Sequence, residues 1–124
     1  MFEITVEETF SSGHALREYR GKCENPHGHN YKVQVTLEGP QLTRIGLLTD
    51  FKDLKRMIRT VTDRLDHHYL NDLEPFTTIN PSAENLAKYF YDCIKEDLAG
   101  NAEGVRIASV TLWETDTTYA KYWE

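Results

Sequence analysis

His27-Gly28-His29-Asn30-Tyr31-Lys32-Val33-Gln34-Val35-Thr36-Leu37 is the stretch on which the fold turns. Tyr31, Val33, Val35 and Leu37 occupy alternate positions, and His27 and His29 continue the same parity. Side chains of a strand alternate between faces, so these six share one face of a strand. The N-terminal segment shows the matching pattern, with Phe2, Ile4, Val6, Phe10 and His14 at even positions. Each run reads as a strand whose apolar face becomes a histidine face at one end. Paired as an antiparallel hairpin, the end of the first strand meets the start of the second. The three imidazoles then converge at the mouth of the loop between His14 and His27, unless a bulge at Gly13 breaks the parity.

Three histidines with one position left open form an established catalytic zinc arrangement. Imidazole also suits iron and copper, so the residue types alone leave the metal open. Cys23 lies four residues before His27. A thiol beside a dication and basic side chains favours the thiolate, which can accept a proton. Cys23 could equally be a small buried apolar residue or a fourth ligand, and a Cys-His₃ set would be closed and structural. The choice separates an enzyme from a zinc-stabilised binding module.

Outward from the hairpin, a long loop runs from Ala15 to Pro26. The second strand extends from Asn30 to Glu38 and stops at Gly39-Pro40. Asp50 is a candidate N-cap for a helix with Phe51, Leu54, Ile58, Val61 and Leu65 on one stripe, ending near Asp66-His67-His68. Asn71 to Asn80 reads as loop. Ser82 caps a second helix with Leu86, Phe90, Cys93 and Ile94 inward, closed by Gly100. Cys93 on that stripe reads as core filler. Val105 to Trp113 and Thr117 to Trp123 supply two further strands. The order ββααββ predicts an α+β fold, a four-stranded antiparallel sheet with two helices packed on one face. The other face must be solvated or covered by another subunit, and an oligomer is expected.

At 124 residues, 40% hydrophobic and 27% charged, the chain fits a single domain over 1–124 with one modest core. Its net charge of -6 argues against nucleic acid as a partner. No run is long and apolar enough for a membrane span, and Met1-Phe2-Glu3-Ile4 has no signal-peptide character. Two cysteines give no disulfide framework, so a reducing cytoplasm is the expected setting.

Other groups carry weaker signals. Asp66-His67 could be a carboxylate-oriented imidazole relaying protons, or simply a helix terminus with its dipole compensated. Glu114 shares parity with Ala108, Val110 and Leu112, and could anchor a flat heterocycle through paired N–H donors or stand exposed at a strand end. Arg17, Arg20 and Lys22 are solvated charges or a cluster able to hold a triphosphate.

Five motifs in combination are specific: Phe10-Ser11-Ser12-Gly13-His14, Cys23 to Tyr31, Leu65-Asp66-His67-His68-Tyr69-Leu70-Asn71, Pro81-Ser82-Ala83-Glu84-Asn85 and Trp113-Glu114-Thr115. Over nearly its whole length the chain resembles the family of 6-pyruvoyltetrahydropterin synthase and its bacterial relative, 6-carboxytetrahydropterin synthase. The short gap between Cys23 and His27 resembles the bacterial enzyme. Ser82 stands where the family often has Thr, and Ala83 lacks a hydroxyl that some members carry. The resemblance implies a tunnelling fold (T-fold), in which three subunits close their sheets into a barrel and two trimers stack into a homohexamer. It implies Zn²⁺ on His14, His27 and His29, Cys23 as proton-abstracting base, Asp66 and His67 as relay, and Glu114 as pterin anchor with Ser82 and Glu84 near the ring. The relay pair would serve a site between subunits. The implied substrate is 7,8-dihydroneopterin triphosphate, cleaved to a 6-carboxy pterin, acetaldehyde and triphosphate on the way to the queuosine base. Pyruvoyl chemistry, which keeps the three-carbon side chain, is the alternative outcome.

Overall fold

The computed structural model describes residues 1–100 and 104–124. Four strands, β1 (Phe2–His14), β2 (His27–Gly39), β3 (Arg106–Thr115) and β4 (Thr118–Tyr122), form one sheet in the order β1-β2-β3-β4. All three pairings are antiparallel. Helices α1 (Phe51–Leu65) and α2 (Ala83–Ala99) lie between β2 and β3 in sequence, with one-turn 3₁₀ helices at Lys22–Glu24 and Leu70–Asp72. This is the α+β architecture expected, in the ββααββ order.

The β1–β2 hairpin runs in unbroken register from Phe2↔Gly39 to His14↔His27. No bulge interrupts it at Gly13, and the ladder persists to the last histidine because Gly13 pairs directly with Gly28. β2 therefore begins at His27 rather than at Asn30. The three residues before Asn30 are paired as well, so the histidines lie within the strand and continue its parity.

Alternation sorts the residues of this sheet. Tyr31, Val33, Val35 and Leu37 are fully buried beneath the helices, joined by Val6 and Phe10 from β1. Leu54, Ile58, Val61 and Leu65 of α1 and Leu86, Phe90, Ile94 and Leu98 of α2 complete that layer. Phe51, assigned to the α1 stripe, is instead 52% exposed. It stands at the first helical position, before the helix has passed over the sheet, and Met57 takes a buried place instead. Asp50 caps α1 through Lys52 N–H and Ser82 caps α2 through Asn85 N–H, as the sequence signals. The opposite face of the sheet is polar: Thr5 bonds Thr36, and Lys32 pairs with Glu7 while lying over the Trp113 ring.

β3 departs from simple parity twice. The β2 partners shift between Thr36 and Leu37, leaving Ala108 as an extra residue, so Ile107 faces the core together with Val110 and Leu112. Ala108 does not belong to that face. A second irregularity between Trp113 and Thr115 leaves Glu114 as an extra residue opposite β4. Bulges of this kind re-aim side chains at sheet ends.

Candidate metal centre and flanking cavities

His14 comes from the end of β1, and His27 and His29 from the start of β2. The unbroken register places His14 opposite His27 and Ser12 opposite His29. Their ligand-capable nitrogens all lie within 4.8 Å of one another. His14 Nδ1–H donates to the Pro81 carbonyl at 2.7 Å, and His27 Nδ1–H donates to the Asn25 carbonyl at 2.7 Å. A carbonyl only accepts, so in both neutral rings the lone pair sits on Nε2. These two Nε2 atoms face each other at 3.0 Å. Two lone pairs at that distance repel unless a cation lies between them. A tetrahedral zinc with bonds of about 2.0–2.1 Å sets its nitrogens roughly 3.3 Å apart. His29 Nε2 is buried without a hydrogen-bond partner, 3.4 Å from Glu114 Oε1. An orphaned buried nitrogen, two preset tautomers and an all-imidazole donor set fit a transition-metal ion.

Burial holds the His14 imidazole below its ordinary value, against the opposing influence of the Pro81 carbonyl and the Glu114 carboxylate. Burial lowers His29 as well. Both rings are thereby kept neutral, the form that binds metal. Tyr31 stacks on Phe10 and meets His14 and His29 edge-on, forming the floor of the cluster. Its hydroxyl has no protein partner, and burial followed by the Glu114 charge pushes the phenol upward.

Cys23 lies half-buried in the Lys22–Glu24 turn, where its carbonyl accepts Leu16 N–H. Among the described residues, the metal-capable cluster contains the three histidines and not Cys23. The bulged Glu114 faces a cavity of about 540 Å³ shared with Leu16, Ser82, Glu84 and the β4 residues Tyr119 and Lys121. That volume suits a bicyclic heterocycle.

Asp66 and His67 are joined, with His67 Nδ1 2.9 Å from Asp66 Oδ2. Ser11 locks the pair from β1: its N–H donates to Asp66 Oδ1 at 2.8 Å, and its carbonyl accepts His67 N–H at 2.6 Å. The Ser11 N–H, and then the His67 side chain, hold the Asp66 carboxyl below its usual range. His67 adopts φ 57, a left-handed conformation that a side chain tolerates only under constraint. Its ring is 83% exposed and opens on a different cavity of about 480 Å³, floored by Gly13 and Gly28. Within one chain His29 is thus the link between the two cavities: it stands beside Glu114 on one side and lines the His67 cavity on the other, while His67 itself does not line the cavity of Glu114.

Arg17 turns inward upon the chain. Its guanidinium donates to the carbonyls of Phe76 at 2.7 Å, Ile79 at 3.1 Å and Asn71 at 3.4 Å. Arg20 and Lys22 are exposed. Sequence reasoning did not single out Asn71 or Asn80, which bond the backbones of Ala15 and Arg17. Asn71 stands within a quoted motif, but loop asparagines are common, and nothing local in the sequence marks the backbone-bonding role of either residue.

The sequence profile described as 6-pyruvoyl tetrahydropterin synthase matches residues 3–124. The chain belongs to the 6-pyruvoyl tetrahydropterin synthase family. It is 33% identical to the 6-carboxy-5,6,7,8-tetrahydropterin synthase of Haemophilus influenzae, with 100% of both chains covered. It is 40% identical to the 6-pyruvoyl tetrahydrobiopterin synthase of Drosophila melanogaster, over 77% of this chain and 65% of that one. Its fold superimposes on the 6-pyruvoyl tetrahydropterin synthase structure of Caenorhabditis elegans with a TM-score of 0.84 and 31% identity, covering 100% and 97% of the two chains. The sheet and helices are therefore those of the T-fold. Among the described residues no helix is long and apolar enough to cross a membrane.

Proposed function

We propose that this chain is a zinc-dependent lyase that converts 7,8-dihydroneopterin triphosphate to 6-carboxy-5,6,7,8-tetrahydropterin, releasing acetaldehyde and triphosphate. The observation that carries the reading is the convergence of three imidazoles beside the Glu114 carboxylate at the edge of a heterocycle-sized cavity. The full-length similarity to a carboxy synthase and the three-residue gap between Cys23 and His27 support the carboxy outcome. The higher identity to a pyruvoyl synthase over a shorter span supports the pyruvoyl outcome as a second reading.

Zinc held by His14, His27 and His29 would polarise the substrate's side-chain hydroxyls as a Lewis acid. Glu114 accepts ring N–H donors and fixes the pterin, with Ser82 and Glu84 lining the same cavity. Cys23 takes a side-chain proton. His67, oriented by Asp66, passes protons to and from the side chain. Because that pair opens away from the cavity of Glu114, we assign it to the site of a neighbouring copy in a homohexamer built as a dimer of trimers. With Arg17 committed to loop carbonyls, Lys22 and Arg20 are the cations left for the triphosphate. The setting proposed is the cytoplasm, and the product is a precursor for 7-deazapurines such as queuosine.

The test is to incubate the zinc-loaded protein with dihydroneopterin triphosphate, weigh the pterin product and assay acetaldehyde. A 6-carboxy pterin with equimolar acetaldehyde is expected. A three-carbon side chain retained without acetaldehyde would select the pyruvoyl reaction, and unchanged substrate would refute both. Cys23→Ala should keep about one zinc per chain and lose turnover. Loss of metal and fold together in that variant would point to a structural zinc module instead.

A further inference from the structure

The segment after α1 runs beside the end of β1 and pairs with it first through backbone and then through side chains. His67 N–H donates to the Ser11 carbonyl, Gly13 N–H donates to the His68 carbonyl, and Gly13 bridges Tyr69 in parallel. Two residues on, the Asn71 carboxamide takes over. Its Oδ1 accepts Ala15 N–H and its Nδ2 donates to the Ala15 carbonyl, both at 2.9 Å. Two residues beyond Ala15, Arg17 receives the same pattern from Asn80, nine positions after Asn71, at 2.8 and 3.0 Å. Each carboxamide acts as a peptide group in a ladder of the usual two-residue spacing.

The ladder ends at Pro81. Its neighbour Asn80 is fixed twice, by its carboxamide on Arg17 and by its carbonyl, which accepts Asn85 Nδ2–H at 2.9 Å. On the other side, Ser82 Oγ accepts Asn85 N–H at 3.1 Å. Pro81 is thus held from both chain directions, and its buried carbonyl is the acceptor for His14 Nδ1–H. That bond fixes the His14 tautomer and aims Nε2 into the histidine cluster. A ligand imidazole's outer hydrogen bond commonly governs its orientation and basicity.

We propose that Asn80, supported by Asn71 and Asn85, is a positioning residue that sets the tautomer and direction of His14 through the Pro81 carbonyl. Asn80 touches neither the cluster nor the cavity beside it, and acts only through this relay. The proposal rests on the metal reading above for its consequence, though not for its geometry.

The test compares wild type with Asn80→Leu, which keeps the size and removes both carboxamide bonds, and with Leu98→Ala, a core truncation in α2 far along the chain from His14. In the metal-free proteins, long-range ¹H–¹⁵N spectra report the tautomer of His14. Zinc affinity is measured by competition with a chromogenic chelator. Expected are a single Nδ1–H tautomer in wild type and Leu98→Ala, a tautomer mixture in Asn80→Leu, and zinc binding about tenfold weaker in Asn80→Leu alone. An unchanged tautomer in Asn80→Leu would overturn the proposal, as would equal losses of zinc affinity in both variants. A wild type with the single tautomer but no zinc affinity would overturn the metal reading and leave the positioning by Asn80 to be judged on the tautomer alone.

Discussion

Replacing Arg17 with Met distinguishes a structural arginine from a phosphate ligand. Met retains the apolar stem and removes the guanidinium. The bond to the Phe76 carbonyl is short and part-buried at 2.7 Å. A hydrogen bond from a charged donor in such a place contributes about 1.5–3 kcal/mol. The exposed bond to the Ile79 carbonyl, at 3.1 Å, adds about 0.5–1 kcal/mol. The 3.4 Å contact with Asn71 is too long to add much. Arg17→Met should therefore destabilise the fold by about 2–4 kcal/mol. With a urea slope of about 2 kcal/mol/M, the unfolding midpoint falls by roughly 1–2 M, with the slope itself unchanged. The assay is urea unfolding followed by tryptophan fluorescence, paired with KM for the proposed triphosphate substrate under conditions where the variant is fully folded. Lys22→Ala, at an exposed position, should leave the midpoint in place and raise KM. An Arg17→Met midpoint equal to that of wild type, with KM raised, would refute the structural reading of Arg17 and return it to the phosphate site.

Tyr31→Phe should stabilise the metal-free protein by about 1–3 kcal/mol, since it removes a buried hydroxyl without a protein partner and keeps the ring stack on Phe10; equilibrium unfolding in the presence of a chelator decides, and a lower stability would show that the hydroxyl is well satisfied. The pH dependence follows from His14 and His29, both held below the ordinary value of 6.5 by burial. The unfolded chain then binds more protons than the folded one as pH falls through 6.5, so stability drops from there down to the folded-state values. Unfolding midpoints of the metal-free protein between pH 7.5 and 5.5 should decline toward the acid side, and His14→Phe should flatten the profile; a midpoint indifferent to pH would contradict the burial argument.

The hairpin was legible because its information is local and periodic. Parity alone carried His14, His27 and His29 to one face, and Asp50 and Ser82 announced their helices through cap chemistry that spans three residues. β3 was misread at Ala108 because a bulge is a property of two strands, and one strand's sequence does not display the register of its partner. Glu114 was placed near the site for an incomplete reason: its aim comes from the second irregularity, not from shared parity. Arg17 looked like one of three basic loop residues, and its carbonyl partners lie more than fifty positions away in the chain. The same distance hid the role of Asn80. Cys23, by contrast, was marked only by its neighbours in sequence, and the fold places it in a turn outside the imidazole cluster.

All three imidazoles belong to one hairpin whose closing loop runs only from His14 to His27, while the next strand pairing must wait for the chain between Gly39 and Arg106. Short closures are entropically cheap and hairpins form within about 1–10 μs, so during synthesis the ligand set can assemble before either helix has been made. Pro81, which aims His14, emerges much later. If the triad takes up the proposed ion, a nascent chain would hold it loosely at first and tighten its grip only when the segment behind α1 docks.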